Sequence, residues 1–222
     1  MIYPIDKILK DVRVCMDQNG SVDALFESGD IDSLMLDDMI RSKVTAAVDM
    51  VHNQAQCGML ELGHTFCDDY PGDGVEDSQV YWGEQESGWV MLPDDFMRLV
   101  VFEMSDWERP VYSVITPDDA EYKHQRSRIK ALRGTSQRPV CALCKRPDGN
   151  VLEFYSCKST DATVTKAVYI PYASIDSHGG VDISERCYTA VVNAAAGLTL
   201  VSCGEAEKAS VFFETSKQNL TK

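Results

Sequence analysis

The chain has 222 residues, of which 44% are hydrophobic, and its 35 acidic and 21 basic residues give a formal net charge of −14. These proportions exclude collagen-like, coiled-coil and broadly disordered proteins, and a chain of this length buries roughly 70% of its unfolded surface. The longest apolar stretch, 189–203, is interrupted by polar residues and is shorter than the ~20 residues of a membrane helix, so no bilayer span is expected. The first twenty residues hold no apolar core of signal-peptide length, which predicts synthesis in a cytoplasm.

Two amphipathic helices are predicted at the N-terminal end. Apolar residues recur at helical spacing over 5–18. A longer second helix is predicted after a cap by Asp30 or Asp32, with an apolar stripe that includes Val44 and a charged opposite face. The acidic stretch 68–77 does not have the spacing of a calcium-binding loop, so it is interpreted as a solvated loop at a domain boundary.

The centre of the chain has β periodicity. Between residues 79 and 115, apolar side chains recur at a spacing of two and are separated by short polar connectors, which predicts an antiparallel meander. Two more strands are predicted at 140–145 and 151–155, joined by a Pro-Asp-Gly-Asn turn, and another at 163–170. This region therefore predicts a β domain.

Two further helices are predicted near the C-terminal end. Asp182 and Glu185 have the spacing of a capping box, and the small residues at 194–197 would let another helix approach closely. The last helix is predicted over 205–220.

The predicted fold class is therefore α+β, with N- and C-terminal helices packed together and a central antiparallel β domain, either sheet or barrel. The helical domain is expected to comprise 1–67 and 178–222, and the β domain 78–170. This arrangement requires Val44 and Val191 to share one core.

One pair of cysteines has the spacing of metal ligands. Cys141 and Cys144 form a CxxC pair typical of zinc ribbons and redox motifs, but no second CxxC or HxxxH follows. Residues three apart in a strand point to opposite faces, so both thiols are interpreted as structural. A small zinc-binding protein or enzyme around Cys141, Cys144 and Cys157 is the alternative. No catalytic constellation or Gly-rich phosphate loop occurs, and the sequence predicts no enzyme, cofactor or metal.

Charge is distributed unevenly along the chain. Residues 123–146, here called the basic segment, contain eight basic residues and no acidic one, which leaves 13 basic and 35 acidic residues elsewhere, a net charge of −22. The segment could be a solvated face, a phosphate contact or a contact with an acidic surface of another copy or partner. The overall negative charge opposes nucleic-acid binding, so a protein contact is favoured. The candidate interface residues are Lys123, Arg126, Arg128, Lys130 and Arg133.

The order of these elements resembles a family of phage proteins. The matching stretches are DKILKDVRVCMDQNG, DIDSLMLDDMIRSKVTAAVDMV, LPDDFMRLVVFEMSDWERPV and SERCYTAVVNAAAGLTLVSCGEAEKASVFFETSKQNL. Together they are similar to the head-to-tail connector (ring) proteins of crAss-like bacteriophages. More distantly, the paired N-terminal helices resemble the head-completion adaptors of tailed phages. The resemblance covers most of the chain and includes no residue-level functional motif.

This resemblance implies a virion structural protein at the head–tail junction. The family forms oligomeric rings, usually of twelve copies, beneath the portal protein, and continues the DNA channel towards the tail. The expected partners are other copies, the portal and further connector or tail proteins, with double-stranded DNA passing through without sequence-specific binding. The acidic composition fits a channel through which DNA slides. Another phage tail or accessory structural protein is the alternative in the same class.

Overall fold

The computed structural model describes residues 1–16, 31–60, 63–66, 80–84, 86–125, 127 and 129–221. The chain divides into a helical unit, Met1–Leu62 with Tyr172–Lys222, and a β unit, Gly63–Pro171. Helices account for 40% and antiparallel sheets for 26%, with terminal helices and central sheets, which confirms the predicted α+β class. The predicted acidic loop at 68–77 lies outside the described residues.

The helices and strands are numbered in chain order. They are β1 (Ile2–Pro4), α1 (Ile5–Cys15), α2 (Ile31–Gln54), β2 (His64–Thr65), β3 (Tyr81–Trp82), β4 (Gly88–Met91), β5 (Phe96–Met104), α3 (Ala120–Gln125), β6 (Cys141–Arg146), β7 (Gly149–Phe154), β8 (Val164–Pro171), β9 (Gly180–Asp182), α4 (Tyr188–Ser202) and α5 (Ala206–Asn219). Short 3-10 turns occupy Cys57–Met59, Lys130–Leu132 and Glu185–Cys187.

The core of the helical unit is formed by the apolar stripes of its helices. Along α2, Ile40, Val44 and Val48 are fully buried at the 3.6-residue period that the sequence predicts. Val44 and Val191 lie in the same hydrophobic cluster, as the fold prediction requires. Each such side chain contributes roughly 1.5–3 kcal/mol through burial, so these stripes are a main source of the unit's stability.

Small residues of α4 let α5 pack closely against it. A Cβ added at Gly197 would lie 2.8 Å from a ring carbon of Phe213, closer than real Cβ contacts. The Ser216 hydroxyl on α5 donates a hydrogen bond of 2.8 Å to the carbonyl of Ala190. The expectation that 194–197 permits close helix packing is therefore confirmed.

The predicted capping box at the start of α4 is wrong. Asp182 belongs to β9, which pairs antiparallel with β1 in the register Ile2↔Asp182. The residues after β9 form a 3-10 turn, and α4 begins at Tyr188 without a side-chain cap. Pairing with a strand from the other end of the chain satisfies the backbone at Asp182, and sequence spacing alone does not reveal such a partner.

The β unit contains two antiparallel sheets, with strand orders β2-β8-β5 and β3-β4-β7-β6. The predicted continuous meander over 79–115 is wrong, because β4 pairs with β7 whereas β5 pairs with β8. The turn after Leu92, closed by a hydrogen bond from the Phe96 N–H to the Pro93 carbonyl, separates strands of different sheets. Alternation of side chains establishes that each segment is a strand but does not select its partner.

An aromatic cluster joins the two sheets of the β unit. Phe102 on β5 and Phe154 on β7 have ring centroids 6.0 Å apart, and Trp107 lies edge-on to both. Phe102 and Phe154 are fully buried. Edge-to-face and tilted contacts of this kind add to the stability that burial supplies, so the sheets share one core.

Candidate subunit interface

The basic segment ends in the hairpin of β6 and β7, since β6 is its last part. Arg146 pairs with Gly149 across a two-residue turn, in agreement with the predicted turn between these strands. Gly149 has a φ of +140°, which explains the requirement for glycine at the end of this turn.

The two thiols of the CxxC pair lie on opposite faces of β6, as the sequence predicts. Cys141 is fully buried in the aromatic core with Phe154, whereas Cys144 belongs to a separate cluster with Tyr155. Burial raises the pKa of Cys141 well above its ordinary value. The two sulfur atoms therefore do not converge on one ion. Among the residues that the structure describes, no group of three His, Cys, Asp or Glu side chains could hold a metal.

The buried carboxylate of Glu153 is the centre of a hydrogen-bond network on the other face of this hairpin. Glu153 is only 5% exposed, and the Arg146 guanidinium donates a hydrogen bond of 2.8 Å to its Oε1. The hydroxyls of Tyr122 and Tyr155 both donate to Oε2, the former at 3.2 Å. Arg146 also stacks over Trp89, with its guanidinium carbon 3.7 Å from the ring centroid. The buried charge is therefore paired and hydrogen-bonded, as burial requires.

The titration of this network follows from its geometry. Burial alone would raise the pKa of Glu153, but hydrogen bonds from Tyr155 and Arg146 outweigh it and hold this pKa below its usual value. Burial, a hydrogen bond with Cys144 and the Glu153 charge raise the pKa of Tyr122 to about 12. Near neutral pH the carboxylate is therefore ionised and the phenol of Tyr122 is neutral.

This network fixes α3 and the following residues against the hairpin. Tyr122 on α3 reaches Glu153 on β7, which ties the start of the segment to the sheet. Farther along, the Gly134 N–H donates a hydrogen bond of 2.8 Å to the side-chain oxygen of Gln125, which is buried. The chain between Tyr122 and Gly134 is thus held at both ends.

The structure describes only some of the five predicted interface residues. Lys123 on α3 is exposed, whereas Arg133 is partly buried and lines a cavity of about 300 Å³ together with Arg146 and Glu153. Arg126 and Arg128 lie outside the described residues, as does the side chain of Lys130. Lys123 and Arg133 therefore belong to one anchored segment, and the interface role of all five residues stays a prediction.

Two exposed apolar side chains in this segment were not singled out by sequence reasoning. Ile129 is 60% exposed and Leu132 is 48% exposed. They lie in one turn, closed by a hydrogen bond of 3.0 Å from the Leu132 N–H to the Ile129 carbonyl. Their position among basic residues is visible in the sequence, but their exposure is set by the fold.

Comparison with known proteins leaves the family of this chain open. No protein-family model matches the sequence, and no curated protein matches it either. Within the described part of the chain, no helix combines the length and apolar character needed to cross a membrane.

Proposed function

We propose that this protein is a virion structural protein that forms an oligomeric ring at the head–tail junction, below the portal, and continues the DNA channel towards the tail. One observation carries this proposal: the basic segment has eight basic residues and no acidic one, in a chain whose remainder has a net charge of −22. The sequence resemblance to connector proteins of crAss-like phages supports the same function.

Segregated charge favours a contact between unlike surfaces of neighbouring copies. A basic surface on one copy can meet an acidic surface on the next, and such a head-to-tail contact closes into a ring when its rotation permits. Complementary charges steer the encounter and set its register more than they supply affinity. Exposed Ile129 and Leu132 provide apolar area that a neighbour can bury.

The same arrangement suits a DNA channel. A net charge of −14 repels DNA phosphates, so an acidic wall lets the duplex move without being retained. A basic segment occupied by a subunit contact would be hidden from the phosphates that it could otherwise bind.

Mass photometry of the purified protein, alone and with portal protein, tests the proposal. Twelve copies of the 24.7 kDa chain would give a particle of about 296 kDa. The variant Arg126→Glu, Arg128→Glu, Lys130→Glu should keep the wild-type circular dichroism spectrum and lose both ring and portal complex. A matched reversal at Lys10, Arg109 and Lys217, which are exposed and lie outside the basic segment, should assemble normally.

Two outcomes would count against this function. A wild-type protein that stays monomeric with and without portal would exclude the ring. A reversed variant that assembles with unchanged salt dependence would show that the basic segment is only a solvated face, and the contact would then lie elsewhere.

A further inference from the structure

The outer edge of β6 is paired over only part of its length. The Ile115 N–H donates a hydrogen bond of 3.0 Å to the Cys141 carbonyl, and the Leu143 N–H donates one of 2.9 Å to the Ile115 carbonyl. Ile115 thus lies beside β6 as the first position of a parallel strand. The chain then turns away from β6, and this turn is closed by a hydrogen bond of 3.0 Å from the Asp119 N–H to the Thr116 carbonyl.

The rest of this edge is open. Lys145 pairs with Asn150 across the hairpin, and the Asn150 carbonyl accepts a hydrogen bond of 3.0 Å from the Leu92 N–H on the other side of β7. Because backbone groups alternate in direction along a strand, those of Lys145 point away from β7, as those of Leu143 do. The next residue that could pair here is Pro117, which has no N–H to donate. The described part of the chain supplies no hydrogen bond to the Leu143 carbonyl or from the Lys145 N–H.

A mostly apolar pocket of about 400 Å³ lies beside this open edge. Its walls come from the end of β4, the start of β5 and the end of β6, and they include Leu92, Phe96, Met97, Leu143 and Lys145. Leu92 and Phe96 are buried, whereas Met97 and Leu143 are partly exposed. Open backbone groups beside a side-chain pocket are the two features that bind extended peptides, because alternate side chains of an added strand point to the same face.

Lys145 argues against another copy of this chain as the occupant. A lysine on an edge strand commonly prevents such strands from pairing with each other. Two copies joined through this edge would bring their Lys145 side chains close together, and like charges on neighbouring strands are destabilising. The open edge therefore fits a strand of different composition.

The charges around the pocket indicate that composition. The exposed charged side chains within two positions of the lining residues are Asp94, Asp95, Asp118, Asp119, Asp148 and Lys145. Arg98 and Arg146 lie within the same distance but are partly buried, and Arg146 is paired with Glu153 at 2.8 Å. Five exposed carboxylates against one exposed base favour a segment that carries basic residues.

We propose that the open edge of β6 binds an extended segment of a partner protein, in which basic residues flank an apolar side chain. The segment donates an N–H to the Leu143 carbonyl and accepts a hydrogen bond from the Lys145 N–H. Its apolar side chain enters the pocket, and its basic side chains approach the surrounding carboxylates. This contact goes beyond the proposed ring, since it requires no second copy and uses none of the five candidate interface residues.

A synthetic peptide tests this contact. The probe is acetylated and amidated Lys-Thr-Leu-Thr-Lys, whose lysines and leucine share one face when it is extended. Titrated into the wild-type protein, it should shift the NMR signal of the Lys145 amide to saturation and slow its hydrogen exchange. The same peptide with N-methyl groups on its three central residues should not bind, because it lacks the backbone donors. Glu-Thr-Leu-Thr-Glu should bind at least about threefold more weakly.

Two variants at one position separate the backbone contact from the side chain. Lys145→Pro removes the outward N–H, and proline is tolerated on an edge strand where this group faces solvent. It should weaken peptide binding by about three- to tenfold, the usual effect of losing one hydrogen bond. The matched variant Lys145→Ala also loses the lysine side chain but keeps the N–H, so it should bind the peptide at least as well as the wild type.

Several results would overturn this contact. They are an unchanged Lys145 amide, equal binding of the N-methylated or the glutamate peptide, and equal binding by Lys145→Pro and Lys145→Ala. The N-methylated peptide keeps the test valid even if Lys145→Pro does not fold, because it leaves the protein unchanged. Oligomers that are lost in Lys145→Pro but kept in Lys145→Ala would show that the edge binds another copy instead of a partner.

Discussion

His52 on α2 is a buried titratable side chain, only 2% exposed. Burial lowers its pKa to about 4, and the nearby charge of Asp182 opposes this shift only in part. The unfolded chain has an ordinary histidine pKa of about 6.5, so it binds the proton more tightly than the folded chain does. The contribution of His52 to stability is therefore complete above pH ~6.5 and is lost as the pH falls towards 4.

We expect this linkage to remove about 3 kcal/mol of unfolding free energy between pH 7 and pH 4. Urea unfolding of His52→Met, which fills a similar volume without titrating, should show a pH dependence weaker by that amount. Equal losses in the wild type and in His52→Met would contradict this role for His52.

Substitution of Cys141 and Cys144 distinguishes a structural role of these thiols from metal binding. Replacing Cys141 by Ala and Cys144 by Ser should cost only ~1 kcal/mol, through a small cavity left at the fully buried Cys141. Serine at 144 can still hydrogen-bond to the Tyr122 hydroxyl, which lies 3.4 Å from the present thiol. Chemical unfolding and metal analysis provide the measurements. Stoichiometric zinc that disappears in the double variant would revive the zinc-binding alternative.

At the scale of the helices, the packing of α5 on α4 depends on the absence of a side chain at Gly197. In Gly197→Leu the new side chain would overlap the Phe213 ring, because even a Cβ would lie 2.8 Å from it. We expect a loss of ~1–3 kcal/mol in unfolding free energy, despite the better helix propensity of leucine. The double variant with Phe213→Ala should lose less than the sum of the two single changes. Additive losses would show that Gly197 is not limited by this ring.

Local patterns account for the elements that the sequence predicts well. The α2 stripe through Ile40 and Val44 and the turn at Pro147 and Asp148 depend on residues within a few positions of each other. The choice of a strand's partner does not depend on nearby residues. Trp89, for example, pairs with Glu153, which lies far along the chain. Such pairing reflects the burial of both faces of a sheet, which a single strand's alternation leaves undetermined.

The candidate interface was predicted only in part for the same reason. An excess of basic residues is visible in the sequence, so Lys123 and Arg133 could be named. The residues that hold this segment in place could not be named from the sequence. The hydrogen bonds of Tyr122 and Arg146 to the Glu153 carboxylate form only in the folded chain. The exposure of Ile129 also depends on where α3 ends, which propensity does not establish.

At the scale of the whole molecule, the chain forms two units whose sequences are nested. The chain leaves the helical unit at Leu62 and returns to it at Tyr172, so the β unit is inserted within the helical sequence. The basic segment lies within the inserted β unit, whose sequence range still has 18 acidic and 12 basic residues, a net charge of −6. Outside the basic segment the sequence ranges of both units are acidic, with net charges of −8 and −14, so the acidic surface that the proposed contact requires is not specific to one unit.

Salt distinguishes the electrostatic and apolar parts of the proposed contact between copies. Raising the ionic strength from about 0.1 M to about 1 M shortens the screening length from ~10 Å to ~3 Å, so the wild type should assemble more slowly and less completely. The variant Ile129→Ser, Leu132→Ser removes apolar side chains that are already exposed, so it should fold normally. It should assemble more weakly at every salt concentration, yet with the salt dependence of the wild type. Sedimentation velocity across a salt series measures both effects. Wild-type assembly that is insensitive to salt, or promoted by it, would mean that apolar burial rather than the basic segment drives the contact.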